Sequence, residues 1–281
     1  MDLIGLGALN LDHVVRASSV GLPVARGAEG RVPAEVVRPL LGEHPALGGS
    51  AFNTVSTLAG LGLRLGYVGV VGSDAAHVSR LASLGVDHRF VFRAEGLTGA
   101  CVSVVEAADR TLLVHPGAND AMAGFVDRAT QYLMSARIVH VTSFLDEQTP
   151  IHLAAALRAA RARGVLLSLD PGHEWATNPS PAVQDLIDQA DYLFLNPTEF
   201  AALGPNNGVT VVKSPEGIRE FRNGTIRFTG HEPLAPEEIT SPTGAGDAFA
   251  AGYLAGVLSG TGPLSPATQG LSLARRKLHG G

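Results

Sequence analysis

Near the C-terminus, Thr243-Gly244-Ala245-Gly246-Asp247-Ala248-Phe249 opens an apolar stretch of helical texture. Glycine and alanine let a backbone come close to a ligand. Free N–H groups at a helix start point outward and carry a partial positive charge. A phosphate fits such an end, as does the charge that grows in a phosphoryl-transfer transition state. Asp247 stands one residue past the glycines, where a carboxylate is an odd neighbour for phosphate unless it serves an incoming nucleophile. Accepting a proton from a hydroxyl is such a role. Read alone, the same aspartate would also serve as an acid favouring a helix N-terminus.

Three further groupings have polar residues at spacings that could grip a small molecule. Gly48-Gly49-Ser50-Ala51-Phe52-Asn53 precedes a helical pattern. The glycine pair lets the backbone approach a ring, and Asn53, one helical turn later, can donate and accept hydrogen bonds. In Gly7-Ala8-Leu9-Asn10-Leu11-Asp12, Asn10 and Asp12 alternate to the same side of an extended chain. Gly5-x-Gly7 begins a dinucleotide fingerprint, but position 10 is asparagine where the third glycine would stand. Asn196-Pro197-Thr198-Glu199 follows the apolar run Tyr192–Leu195. An oxygen-rich loop at a strand end suits Mg2+, which retains waters, and an Asn-Pro turn also caps a helix.

These residues need a scaffold. Helical spacing covers 49–61, 76–84, 125–135, 151–163, 181–189 and 243–258; strand-like runs cover 3–8, 67–71, 138–142, 165–170, 192–195 and 209–213. Such alternation predicts an α/β fold, a three-layer sandwich with a mostly parallel central sheet. Segments 13–46 and 88–115 interrupt the rhythm; runs 89–93, 100–106 and 111–115 have short separators that suit hairpins. We expect these two segments to form a small β lid over a cleft. The large domain then comprises 1–12, 47–87 and 116–281.

Composition narrows the function classes. In 281 residues, 45% are apolar and 17% charged, which argues against disorder. The net charge is −5, and no basic stretch reaches the density of a nucleic-acid patch. Arg275-Arg276-Lys277 reads as the cationic end of a helix. The single cysteine, Cys101, excludes an internal disulfide and a CxxC metal site; in its apolar run it reads as a buried small hydrophobe. Asp2 follows the initial methionine with no basic region, and no apolar run reaches the ~18 residues needed to cross a bilayer. A soluble, cytoplasmic protein with neither membrane nor nucleic-acid partner is expected.

The run Thr243–Phe249 resembles the C-terminal signature of the ribokinase-like, or PfkB, family of carbohydrate and nucleoside kinases. Gly48–Asn53 resembles its N-terminal glycine pair, Gly7–Asp12 its first strand end, and Asn196–Glu199 its Asn-x-x-Glu motif. His115–Asn119, Thr98-Gly99 and Asp170-Pro171-Gly172 match further turns in the same order. The resemblance implies a ribokinase-like fold and ATP-dependent transfer to a hydroxyl of a sugar or related molecule. It implies Asp247 as base and Gly244, Ala245 and Gly246 as anion hole. Asn10, Asp12, Gly48, Gly49 and Asn53 would hold the acceptor. Asn196, Glu199, Lys213, Gly217 and Thr243 would face ATP, with Mg2+ near Asn196 and Glu199 through water. A homodimer through the lid is expected from the family.

The acceptor stays open. A nucleoside would call for an aromatic to stack on, such as Phe52, although Phe52 suits a core position. A sugar phosphate would call on an arginine among Arg16, Arg26, Arg31, Arg89 and Arg93. A ligand-binding regulator that kept the fold and lost catalysis is the non-enzymatic alternative. Ser241 stands where the family usually has an aspartate associated with a monovalent cation, and a neutral hydroxyl holds such an ion less strongly. The loop Val211–Gly217 looks one residue short and lacks a glycine, and the terminal region after Leu271 is abbreviated.

Overall fold

The apolar runs of the sequence become adjacent strands. In spatial order, Val209–Ser214, Tyr192–Leu195, Leu166–Asp170, Ile138–Thr142, Leu3–Leu6, Leu65–Val71 and Asp87–Arg93 lie parallel. Gly217–Arg222 and Thr225–Gly230 add an antiparallel hairpin at one edge, completing nine strands. The computed structural model describes residues 1–16, 29–74, 76–106, 109–232, 234–235, 238–240, 243–260 and 264–280. Arg26 and Ser241, and with Ser241 the expectation about a monovalent cation, lie outside the described residues.

Both faces of the large sheet are covered, so its central strands are apolar on both sides rather than alternating. Ile4, Leu6, Val68, Val139, Val141, Leu167 and Leu193 face one core, beneath helices Val126–Leu133, Gln148–Arg161 and Pro181–Gln189. Leu3, Tyr67, Ile138, Phe194 and Val211 face the other, beneath helices Ser50–Leu58, Ala245–Ser259 and Pro266–Leu278. Ser180 and Ser265 cap two of these helices by accepting the backbone N–H of Val183 and Thr268. The layers are helix, sheet, helix, with a second sheet appended.

That second sheet has five strands, in the order Glu29–Arg31, Asp109–His115, Gly99–Glu106, Asn10–Arg16, Ala46–Gly48. Val32, Val37, Ala100, Val102, Val104 and Leu113 form its own small core. Its bounds correct the expected ones. Asp87–Arg93 pairs parallel with Leu65–Val71 and is the edge strand of the large sheet, not part of the appendage. The reason is aromatic packing: the Phe90 ring stacks on Tyr132 at 4.4 Å and the Phe92 ring on Phe125 at 4.6 Å. The sheets also meet at Asn10 and Gly48, which pair with each other, rather than at 13 and 46.

The chain passes between the sheets four times, near Ala8, Gly49, Leu97 and Pro116. Asn119 fastens two of these passages. Its Oδ1 accepts Leu9 N at 2.9 Å, and its Nδ2 donates to Leu9 O at 3.0 Å, Pro116 O at 2.9 Å and Asn10 Oδ1 at 3.2 Å. A Cβ at Gly99 would fall 2.2 Å from Asn10 Oδ1 and 2.3 Å from Asn119 Nδ2, so only glycine leaves room for this junction.

Candidate active site

Helix Ala245–Ser259 is apolar on nearly every side and buried between its neighbours. Its N-cap is Gly244, at φ +80°, a left-handed conformation that favours glycine. The first intrahelical bond is Ala248 N to Gly244 O, so the amides of Ala245, Gly246 and Asp247 precede the ladder and remain donors for an anion. Ala245 and Gly246 line a cavity of about 900 Å³.

Asp247 projects the other way. Its carboxylate accepts Ser50 Oγ at 2.6 Å and Asn53 Nδ2 at 2.8 Å, both from the first turn of helix Ser50–Leu58. Burial pushes the Asp247 carboxyl above the ordinary carboxylate range. The hydrogen bonds from Ser50 and Asn53 oppose that shift, the Asp170 charge adds to it and Lys213 opposes it. The group is thus a stronger base than a solvated aspartate.

The other polar groups sit at the carboxyl ends of the parallel strands, where open α/β sheets bind ligands. Lys213, near the end of its strand, places Nζ 2.6 Å from Asp170 Oδ2, with the side chains 17% and 12% exposed. Burial works against its charge, but Asp170, Glu199 and Asp247 outweigh it and hold the Lys213 pKa up. Beneath this pair His140 meets Ser168 Oγ at 2.8 Å, and burial lowers its pKa to about 4, so the ring is neutral. Asn196 and Glu199 form a capping box: Asn196 Oδ1 accepts Glu199 N at 2.9 Å and Glu199 Oε2 accepts Asn196 N at 2.8 Å. Glu199 is 5% exposed, and burial, then the Asp170 charge, raise its pKa.

Asp170, Asn196, Glu199, Lys213, Ser214 and Pro215 line the large cavity, as do Leu271, Ala274 and Leu278 of helix Pro266–Leu278. The expected cofactor residues Gly217 and Thr243 do not line it. Gly217, at φ +144°, instead closes the two-residue turn that makes the loop short. Among the described residues, no three His, Cys, Asp or Glu converge as a metal cage. The Glu199 carboxylate and the Asn196 amide oxygen are hard oxygen donors lining the cavity, which fit magnesium carried in on phosphates with its waters retained.

A second cavity, of about 130 Å³, adjoins Asp247 through Ser50. Of the expected acceptor residues, Asn10 and Gly49 line it; Asp12, Gly48 and Asn53 do not. Asn53 is instead turned onto Asp247, and Asp12 lies over Gly48, where any Cβ would sit 2.1 Å from Oδ2. Cys101 is half-buried and lines this cavity, correcting its reading as core. Sequence reasoning missed Ser50, Asp120, Ser143 and Asp146. The signal for the last two was their place just after strand Ile138–Thr142.

Asp146 is notable for its unequal oxygens. Oδ1 accepts Gln148 N at 2.9 Å and Thr149 N at 2.7 Å, capping the helix, while Oδ2 is buried without a partner among the described residues. At the rim, Arg31 of the small sheet donates to both Asp120 oxygens, at 3.1 and 2.7 Å, and to Leu145 O at 2.9 Å. Of the basic trio at the C-terminus, Lys277 runs inward, its Cε 3.5 Å from the place a Gly244 Cβ would take.

The family model described as pfkB family carbohydrate kinase matches residues 42–267. The chain belongs to that family. A PfkB kinase is a phosphotransferase with an alcohol group as acceptor, and the likeness extends along the chain. It is 30% identical to an uncharacterized sugar kinase of Archaeoglobus fulgidus, over 72% of this chain and 86% of the relative. It is 32% identical to an ATP-dependent ribose-1-phosphate kinase of Halopiger xanaduensis, over 74% and 72% respectively. Among solved structures, adenosine kinase from Schistosoma mansoni with 2-fluoroadenosine superposes with TM-score 0.85 at 15% identity, covering 99% and 95% of the two chains. A putative ribokinase II from E. coli with ATP and Mg2+ gives 0.78 at 19% identity, covering 99% and 92%. These two establish the fold as ribokinase-like. Among the described residues, no helix is long and apolar enough to cross a membrane.

Proposed function

We propose that this PfkB kinase transfers the γ-phosphoryl group of ATP to a hydroxyl of a small, uncharged sugar. The observation that carries this reading is the position of Asp247. Its carboxylate is held by Ser50, which lines the small cavity, and its helix presents Ala245 and Gly246 to the large one. The acceptor hydroxyl would therefore enter from one side and the nucleotide from the other.

In this reading Asp247 takes the hydroxyl proton, and the first-turn amides hold the transferred group. Lys213, Asn196 and Glu199 frame the phosphates in the large cavity, and its apolar lining residues Leu271, Ala274 and Leu278 receive the base. Asn196 and Glu199 would hold the waters of a magnesium ion arriving with the nucleotide, which would supply charge neutralisation. The small sheet excludes water, Arg31 tying it to Asp120 and Leu145.

The acceptor cavity supports an uncharged partner because Asp120 and Asp146 line it and Arg31, at its rim, already serves Asp120. A phosphorylated acceptor is the second reading, favoured by the likeness to a ribose-1-phosphate kinase. The deciding experiment is ADP release with Mg-ATP across free sugars, sugar phosphates and nucleosides. Release on sugar phosphates alone would overturn the uncharged class, and no release on any class would count against the kinase reading itself.

Asp146→Asn tests the cavity directly. The amide oxygen keeps the helix cap, while the partnerless carboxylate oxygen becomes a donor. Losing a hydrogen bond to a charged group costs about 1.5–3 kcal/mol, so the acceptor KM should rise about 10–100-fold with kcat within about threefold. An unchanged KM in steady-state kinetics would remove Asp146 from the acceptor site.

A further inference from the structure

We propose that Lys213 is a catalytic residue whose ammonium bridges Asp170 and the transferred phosphoryl group, and that Asp170 is the positioning residue that aims it. The inference rests on the kinase reading above and adds a fixed cation to the anion hole. An ammonium has three N–H donors. Among the described residues only Asp170 accepts from this one, so the others are available to the cavity that Lys213 lines.

Place is the main argument. A Cβ on Gly246 would lie 3.5 Å from Nζ, so the ammonium stands directly against an anion-hole residue with no side chain between them. It is also held by a carboxylate at 2.6 Å and lies 5.8 Å from the centre of the Phe194 ring. Only 17% of the side chain is exposed, so its field reaches the site with little solvent screening. The burial of the site also makes a fixed charge costly unless it has a counter-charge. Asp170 provides that while the nucleotide is away.

The acceptor oxygen bonds to the γ-phosphorus as the bond from that phosphorus to the β–γ bridging oxygen breaks. The electron pair leaves with ADP, and the hydroxyl proton passes to Asp247. Negative charge on the peripheral phosphoryl oxygens is then shared between the amides of Ala245 and Gly246 and the Lys213 ammonium.

The experiment compares wild type with K213M, K213A, D170N and the D170N/K213M pair. Removing one preorganised donor to a developing charge typically costs about 10²–10³ in kcat, and that loss is expected for K213M with acceptor KM within about threefold. The binding readout is calorimetric titration with Mg-ADP, with and without aluminium fluoride. K213M should bind Mg-ADP within about threefold of wild type yet lose about 100-fold of the tightening that fluoride produces. In K213A, ethylammonium should restore turnover saturably. D170N/K213M should be no slower than K213M alone, because Asp170 acts through the lysine.

A K213M rate within threefold of wild type, with normal fluoride tightening, overturns the role of Lys213 and leaves the kinase reading standing. Equal losses of ADP and ADP–fluoride binding overturn it too, marking Lys213 as a nucleotide-docking residue only. No ADP release by wild type on any acceptor fails the kinase reading instead, and the fluoride titration still reports on Lys213.

Discussion

Asp247→Asn is expected to lower kcat by about 10²–10⁴-fold, the usual contribution of a general base, while the protein folds as before. The amide matches the carboxylate in shape. Its oxygen can still accept from Ser50, and Asn53 can turn its own amide to accept where it now donates. Wild-type turnover should also fall on the acid side at a pH above the ordinary carboxylate range, because burial raises the pKa of the base. Stability should move oppositely. The folded protein holds this proton more tightly than the unfolded chain. The slope of unfolding free energy with pH is therefore negative between the two pKa values, and the charged form costs stability above them. The variant should accordingly unfold at higher urea than wild type at neutral pH, and the gain should vanish in acid. Near-wild-type turnover would sink the assignment of Asp247; a variant less stable at neutral pH would contradict the desolvation argument.

Gly49→Ala should carry the largest loss of stability, about 3 kcal/mol or more. Gly49 holds φ +115°, ψ 124°, a region in which an L side chain is strained by about 1–3 kcal/mol. A Cβ there would also lie 2.2 Å from Ala8 O, backbone that belongs to another passage between the sheets. Neither strand nor helix can yield without shifting Ser50, which begins the helix holding Asp247. The urea midpoint should therefore fall, and the variant that remains folded at low temperature should lose turnover as well. A midpoint within the scatter of wild type would mean that the junction relaxes freely.

What was legible in the sequence was local. Gly244–Asp247 and Asn196–Glu199 are contiguous, so their chemistry shows in a few adjacent letters. The doubly buried strands announce themselves as apolar runs. Contacts made across long separations left no such trace. Ser50 reaches Asp247 over 197 positions and Lys213 reaches Asp170 over 43. The hairpin Gly217–Gly230 was not anticipated because Arg219, Glu220, Arg222 and Arg227 interrupt any apolar pattern on an edge open to water. Asp87–Arg93 misled for a related reason: Asp87, His88 and Arg89 give it the texture of a projecting segment, while Phe90 and Phe92 anchor it to the main body.

Three of the four passages between the sheets also form the wall of the small cavity: Ala8, Asn10, Gly49, Pro116 and Asn119 line it. A door hung this way has its hinge pin running through the keyhole. Rotation about that line sweeps the far end of the small sheet, where Val105 pairs with Arg110, through the longest arc. Groups near the axis barely move. Opening the entrance therefore need not disturb the atoms that grip the guest.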